Sequence, residues 1–451
     1  MYTETVSTSR NLQHSTPCSD LEELIRSHAA RITVIGQGYV GLPLAVGFAH
    51  ESFKVVGLDI NPERVAMLND CRSNTPDVLN EELQVLHEDH LYEASTDYSE
   101  LSNSDVIIIC VPTPLRKTKD PDISYIMEAA ERVKENLRKG QLIILESTTY
   151  PGTTEEILLE LFQETGLQAG EDYFLAFSPE RIDPGNTKFQ VKDIPKITGG
   201  ITVECTRLAA ILYRQIVNQV VEVSSPKVAE LAKLYENVFR SVNIALANEF
   251  SMMCRELKVN TREVINAAAT KPFGFMPFYP GPGIGGHCIP VDPSYLTWKM
   301  RLNNYQTRFI PLAEEINQSM PELVISLVNE TLNEQGQCIN GASILVLGVA
   351  YKPGVGDTRE SPALLIMEKL SRKGALLTYA DPYVPSVIIG QETLLAEQLN
   401  EKTLKAADCV LILTDHANFD YAMVVAKARS VVDTRDATWN IETARSTVKR
   451  L

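Results

Sequence analysis

The chain has 451 residues, 44% of them hydrophobic, with 42 Lys and Arg against 58 Asp and Glu and a formal charge of −16. That length allows two or three domains with sizeable cores, and the acidity argues against a nucleic-acid partner, which selects a basic face. No apolar run approaches the roughly 20 residues needed to cross a bilayer, and residues 1–18 lack the apolar core of a signal peptide, so a cytoplasmic protein with no membrane partner is expected.

Residues 1–18 read as a tail. Ser19-Asp20-Leu21-Glu22 reads as a capping box opening a short helix, so 1–30 precede the first domain. From Arg31, apolar runs at 31–36, 54–60, 105–111, 141–147 and 173–177 alternate with helical patterns such as 40–51 and 123–138. This alternation predicts a doubly wound parallel sheet, a Rossmann-like domain over 31–222. Pro226 is placed to start a helix, and neither Gly nor Pro follows until Pro272, which predicts a helix over 226–258. At about 50 Å it is too long for one small sheet and is expected to link two domains. A loop rich in Pro and Gly at 271–293 and helical patterns at about 293–301 and 309–335 complete a helical middle domain over 223–335. Apolar runs at 343–349, 376–380 and 408–414 then predict a second sheet closing near Val432, in a domain over 336–451. The expected class is α/β: two Rossmann-like parallel-sheet domains joined by a long central helix and a helical middle domain. A cleft between two such sheets is a natural ligand site.

Gly36-Gln37-Gly38-Tyr39-Val40-Gly41 carries the G-x-G-x-x-G spacing between a predicted strand and a predicted helix. Gly36 permits the tight turn, Gly38 lets a pyrophosphate approach the helix N-terminus, and Gly41 allows close helix–strand packing. Asp59, 18 residues after Gly41, ends the next strand. An acid there bonds the ribose hydroxyls and repels a 2′-phosphate, favouring NAD over NADP. Arg64 complicates this, since a guanidinium accepts a 2′-phosphate or stacks on adenine. FAD binding shares the motif. Two further strand ends, Val111-Pro112-Thr113-Pro114 and Glu146-Ser147-Thr148, fall along the edge where a dinucleotide would lie.

The eight cysteines are scattered with no C-x-x-C pair and read as free thiols, mostly packing residues. Cys288 differs in its surroundings. It follows a stretch, 281–286, with four glycines in six residues, and Asp292 lies four residues on. Glycines at that density are costly to order and suit a backbone that approaches a ligand. A metal reading of His287 and Cys288 lacks a second pair at suitable spacing, so no metal is expected. A thiol beside a nicotinamide suggests oxidation of an alcohol to an acid through a thiohemiacetal and a thioester. Such chemistry needs a base and oxyanion donors. Lys233 and Asn237, spaced i, i+4, project from one face of the long helix. Ser178-Pro179-Glu180-Arg181 offers a carboxylate and a guanidinium at a strand end. On spacing alone, a solvated helix face and a surface turn explain these two groups as well.

Taken together, the motifs GQGYVG (36–41), VPTP (111–114), EST (146–148), SPER (178–181), KLYEN (233–237), GPGIGGHCIPVD (281–292) and YKPGVGDTRES (351–361) stand in the order of a known family. From about Arg31 to Thr438 the chain resembles the UDP-glucose/GDP-mannose dehydrogenase family, the nucleotide-sugar 6-dehydrogenases. The resemblance implies an NAD-binding domain, a helical middle domain forming a homodimer through the 226–258 helix, and a third domain for the UDP-sugar, with two NAD⁺ reduced per sugar. It implies Cys288 as nucleophile, Lys233 and Asn237 as oxyanion donors, Asp292 as an aid to base and water chemistry, and Glu180 and Thr148 at the reacting C6. It lines NAD with Gly36, Gln37, Gly38, Tyr39, Val40, Gly41, Asp59, Arg64, Val111, Thr113, Ser147 and Thr148, with Arg359 reaching in from the third domain. It gives Glu180, Arg181, Lys233, Asn237, Tyr279, Gly283, Lys352 and Arg435 to the sugar nucleotide.

Two departures bear on the substrate. UDP-glucose members tend to have Pro-Glu-Phe-Leu where this chain has Pro179-Glu180-Arg181-Ile182, and Phe-Pro-Lys-Asp where it has Ile289-Pro290-Val291-Asp292. With Thr270-Lys271-Pro272-Phe273-Gly274-Phe275, this version is similar to the UDP-N-acetylhexosamine 6-dehydrogenases of bacterial surface-polysaccharide synthesis, where Arg181 would partner an acetamido group. UDP-N-acetylglucosamine is the first expectation, UDP-N-acetylmannosamine the second and UDP-glucose the third. A two-electron NAD dehydrogenase with a structural Cys288, and a non-enzymatic nucleotide-sugar sensor, remain as other classes.

Overall fold

The structure is a computed structural model that describes residues 16–75, 77–116, 118, 120–181, 191–286, 289–441 and 448–451. The chain divides into two compact units, with the boundary between Lys233 and Leu234 inside the central helix.

The first unit is built on eight strands: β1 (Arg31–Ile35), β2 (Lys54–Leu58), β3 (Tyr92–Ser95), β4 (Val106–Ile109), β5 (Leu142–Leu145), β6 (Phe174–Phe177), β7 (Lys196–Gly200) and β8 (Val220–Glu222). Their order is β3-β2-β1-β4-β5-β6-β7-β8, and every neighbouring pair is parallel except β6 and β7. The strand order reverses between β1 and β4, the switch point at which doubly wound sheets bind ligands. Central strands read as unbroken apolar runs because helices cover both faces. Val106, Ile108, Leu142 and Ile144 enter one core, and Ile107, Ile109, Ile143 and Leu145 enter the core on the opposite face.

The first helix, Pro17–Arg26, corrects the expected cap. Thr16 is the N-cap, and its box closes on Ser19 rather than running from Ser19 to Glu22. Pro17 fixes the first helical φ and so sets the start earlier. Glu22 is instead occupied by Arg26 and Arg207. Residues 16–18 thus belong to the helix and its cap, while 1–15 lie outside the described residues.

The central helix runs Pro226–Glu256, 31 residues. It stops just short of the expected end because Lys258 turns left-handed (φ 57) and Asn260 caps a new helix, Thr261–Ala269. Helices Asp292–Leu302 and Phe309–Asn333 follow. The second sheet has five parallel strands in the order β10-β9-β13-β14-β15: β9 (Ser343–Leu347), β10 (Leu376–Ala380), β13 (Cys409–Ile412), β14 (Val431–Asp433) and β15 (Val448–Arg450). A hairpin of β11 (Ser386–Ile389) and β12 (Glu392–Leu395) stands apart. The sheet does not close at Val432, since β15 adds an edge strand beyond β14. Among the described residues, no helix is long and apolar enough to cross a membrane.

Candidate active site

The glycine turn follows β1 as its spacing demands. Gly36 has φ 93, and a Cβ there would lie 2.4 Å from the Cys110 carbonyl oxygen. A Cβ on Gly41 would fall 1.8 Å from the Gly36 oxygen, so the strand–helix approach itself requires glycine. Gly38 faces open space, with nothing within 4 Å of an added Cβ. The helix that follows, Gly41–His50, has no side-chain cap. A turn closed on two sides and open on the third, beside uncapped amides, fits a pyrophosphate.

Asp59 sits directly after β2 and is 4% exposed. One carboxylate oxygen accepts from the Gln37 amide (2.9 Å) and from Arg64 (2.8 Å), and the other from the Asn61 amide (2.9 Å). Arg64 is thus turned onto Asp59. The Gln37 side chain is fully buried, donating to the Val34 carbonyl and accepting from the Tyr92 hydroxyl, so only its backbone can face a ligand. Ser147 has a similar structural task. Its hydroxyl accepts from the Val111 amide (2.9 Å) and donates to the Val111 carbonyl (2.8 Å), binding the loop after β5 to the loop after β4. Thr113 is buried, Val111 and Thr148 half-buried, and Tyr39 exposed.

Beneath the end of this sheet lies a charged cluster. Glu146 follows β5, Glu180 follows β6, Lys196 opens β7, and Tyr213 ends the helix Val203–Tyr213. The Lys196 ammonium bonds Glu146 and lies 3.2 Å from Glu180, while the Tyr213 hydroxyl donates to Glu146 (2.6 Å). Burial pushes the Glu146 carboxyl up to about 7, against the pull of Lys196. Burial alone would lower Lys196, but Glu146 and Glu180 hold it above the ordinary lysine range. The second Glu180 oxygen accepts from the Arg181 amide (2.7 Å), and the Arg181 guanidinium donates to the Pro195 carbonyl (2.6 Å).

One turn before Lys233, buried Glu230 reaches back to the loop that follows Thr148. It accepts from the Gly152 amide (2.5 Å), the Thr154 amide (3.0 Å) and the Thr154 hydroxyl (2.8 Å). One carboxylate therefore ties the Thr148 segment to the helix that carries half-buried Lys233.

In the second unit, Asn237 donates to Asp292 (2.5 Å), and both are buried. Asn248 of the central helix accepts from the Gly281 amide (2.9 Å) and donates to Asn317 (2.9 Å), which in turn donates to the Ser241 carbonyl (3.2 Å). These asparagines clasp the start of the glycine loop. Along that loop, a Cβ on Gly281 would meet Arg435 at 2.6 Å, one on Gly286 the Tyr351 ring at 2.8 Å, and one on Gly283 Pro362 at 3.1 Å. The Gly286 amide donates to the Arg359 carbonyl (3.1 Å), whereas the Arg359 side chain pairs with Asp357 (2.6 Å). Arg435 pairs with Asp415 (3.1 Å), and half-buried Lys352 adjoins Tyr351 in the chain. Tyr279 donates to Asn266 (2.8 Å) under the Arg262 guanidinium. His287 and Cys288 lie outside the described residues, as do 182–190.

The sequence reading passed over Lys196, Tyr213, Glu230, Asn248 and Asn317. Their one signal is a polar or charged residue set in a helix or strand, which reports a need for partners once buried but not which partners.

Comparison with known proteins places the chain in a family. Models of the UDP-glucose/GDP-mannose dehydrogenase family match over 30–217 (NAD binding domain), 227–319 (central domain) and 345–440 (UDP binding domain). The chain is 38% identical over 393 residues to a UDP-N-acetyl-D-mannosamine dehydrogenase of Pyrococcus horikoshii, covering 86% of this chain and 90% of that one. It is 38% identical over 356 residues to a UDP-N-acetyl-D-glucosamine 6-dehydrogenase of Pseudomonas aeruginosa, covering 78% and 83%. A solved UDP-D-ManNAc dehydrogenase from Pyrococcus horikoshii superposes with a TM-score of 0.82 at 35% identity, covering 90% of this chain and 96% of that one. The open glycine turn, the acid after β2 and the second parallel-sheet unit thus have a common explanation: the chain belongs to the UDP-glucose/GDP-mannose dehydrogenase family, and is an NAD-dependent UDP-sugar dehydrogenase.

Proposed function

We propose that this enzyme oxidises the C6 hydroxymethyl of a UDP-N-acetylhexosamine, with UDP-N-acetylglucosamine first, to the uronic acid through covalent intermediates on Cys288. The observation that carries the chemistry is the buried Asn237–Asp292 hydrogen bond, because Asp292 lies four residues after Cys288 and Asn237 one turn after Lys233. That bond joins the oxyanion donor of the central helix to a carboxylate that follows the thiol by four residues in sequence.

Bound NAD supplies the hydride acceptor, used twice per sugar. The glycine turn and Asp59 orient it, and Gly38 leaves room for its phosphates. Glu180 and Thr148 hold the C6 hydroxyl and its proton, with an ordered water between them. Once C6 is at the aldehyde level, the Cys288 thiolate adds to it as a thiohemiacetal. At the acid level the carbon is held as a thioester until water, aided by Asp292, releases the product. Lys233 and Asn237 supply positive charge and an N–H donor to the oxyanions, which is where electrostatic stabilisation counts most. Arg435, Lys352, Tyr279 and Gly283 serve the sugar nucleotide, where cations face a diphosphate. The functional division follows 31–222 for NAD, 223–335 for the middle domain and 336–451 for the UDP-sugar.

For the sugar, a guanidinium has five N–H donors, and Arg181 would offer one to the acetamido oxygen beside its bond to Pro195. The names of relatives favour an N-acetylhexosamine over glucose, and the Pyrococcus likenesses favour UDP-N-acetylmannosamine as the second reading. NADH formation against a panel of UDP-sugars, with product masses, tests this. Turnover of UDP-glucose but of neither N-acetylhexosamine would sink the substrate assignment.

A homodimer through the central helix completes the reading. Leu231, Tyr235, Phe239, Leu246 and Met253 are exposed at near-helical spacing, an apolar stripe of the kind that marks an interface. Light scattering of a Tyr235→Glu/Leu246→Glu variant should give a monomer, and an unchanged mass would remove the helix from the interface.

A further inference from the structure

The charged cluster of the first unit holds one group in the proposed chemistry, Glu180, and a lysine with no role in it. Lys196 lies within the sheet, its side chain 9% exposed, where a cation persists only with counter-charge. Two carboxylates provide it. Glu146 is sealed in below, fixed from its other side by the Tyr213 hydroxyl, and the ammonium sits 5.0 Å from the Tyr213 ring centroid. Glu180 is the more open partner, its side chain 14% exposed. Its two oxygens receive the Lys196 ammonium and the Arg181 amide, which together leave the carboxylate little freedom to rotate.

We propose that Lys196 is a positioning residue for the oxidation, holding the Glu180 carboxylate ionised and aimed at the reacting carbon, with Glu146 as the second carboxylate that competes for its charge. This rests on the reading of Glu180 at the reacting C6. The other ionisable neighbours do not change the balance near neutral pH. Burial pushes both the Cys110 thiol and the Tyr213 hydroxyl well above their ordinary ranges, so they stay protonated. Glu146 is the neighbour that titrates there, since burial has brought it to about 7. When Glu146 ionises, it draws on the same ammonium that serves Glu180.

Loss of Lys196 and loss of Glu146 should therefore move the Glu180 limb in opposite directions. Lys196→Met alone leaves two carboxylates without a cation and is expected to fold poorly, so the test uses Glu146→Gln/Lys196→Met, Glu146→Gln and Lys196→Arg. The kcat/KM for the best UDP-sugar of the panel is measured from pH 6 to 9.5, with thermal unfolding and NAD binding alongside. In the double variant the acid limb should rise by about one pH unit, a loss of about tenfold below the limb. In Glu146→Gln the limb should move to lower pH, and Lys196→Arg should restore the wild-type profile. A folded double variant whose profile superimposes on the wild type, or a Glu146→Gln limb that does not move, overturns the proposal. Glu180→Gln, run in parallel, separates the two claims. If it retains wild-type kcat and profile, Glu180 is not at the reacting carbon and the proposal falls with that reading. If it abolishes turnover while the folded double variant matches the wild type, only the role of Lys196 falls.

Discussion

Replacing Asp59 by Asn tests the cofactor side of the site with the least change in volume. One Asp59 oxygen accepts from the Gln37 amide and Arg64, the other from the Asn61 amide. Whichever way the new amide turns, its NH2 group faces a backbone N–H. One buried hydrogen bond is lost and a donor is left against a donor, costing about 1–3 kcal/mol. The Arg64 pair adds about 1 kcal/mol at most, since that side chain is 37% exposed and screened. Thermal unfolding of the first unit should fall by roughly 4–10 °C. Loss of the charged acceptor for the ribose hydroxyls should weaken NAD by about 10–100-fold. NADP should gain relative to NAD, because the repulsion of a 2′-phosphate goes with the charge. Measuring KM for both cofactors beside the unfolding temperature separates the effects. A lowered unfolding temperature with an unchanged KM for NAD and undiminished rejection of NADP would reduce Asp59 to a turn-capping residue.

Asn248→Ala removes the acceptor for the Gly281 amide and the donor to Asn317, both buried, at a cost of about 2–4 kcal/mol by denaturant unfolding. Its kinetic signature should be a raised KM for the UDP-sugar with little change for NAD. Equal increases in both would detach the asparagine clasp from the sugar side. Glu146 makes a prediction about pH. Its carboxyl, near 4.5 unfolded, is pushed up to about 7 in the folded protein, so the folded state binds the extra proton between those values. Stability from this group is therefore full below about 4.5 and declines as pH rises towards about 7. Glu146→Gln cannot ionise, so the wild-type unfolding temperature should fall relative to that of the variant as pH rises through that window. A constant difference between them would remove Glu146 from the linkage.

The elements that sequence patterning located well are those with strong local signals. The runs that became β1, β2, β4 and β5 are apolar at nearly every position because both faces are covered, and the glycine turn needs its residues for steric reasons visible at Gly36 and Gly41. β3 and β7 carry weaker signals. Tyr92–Ser95 is short and half polar, and Lys196–Gly200 begins with a charge and ends with two glycines. β15 lies at the edge beyond a span that resembles a closing loop. The charge that explains Lys196 comes from Glu146 and Glu180, 50 and 16 residues away, so no local pattern reports it. Glu230 and Asn248 were hidden for the same reason: their partners lie 76–78 and 33–69 residues away. The resemblance gave Gln37 and Ser147 to the cofactor by position, and it does not show that their side chains bond Val34, Tyr92 and Val111 within the protein.

Counting NADH per molecule of UDP-sugar consumed, with product mass, in wild type and Cys288→Ser decides whether Cys288 acts covalently. The wild type should give two NADH and a uronic acid, and a Cys288→Ser enzyme that binds NAD normally should give no steady-state acid. One NADH per sugar from the wild type, or wild-type acid formation by Cys288→Ser, would contradict that role.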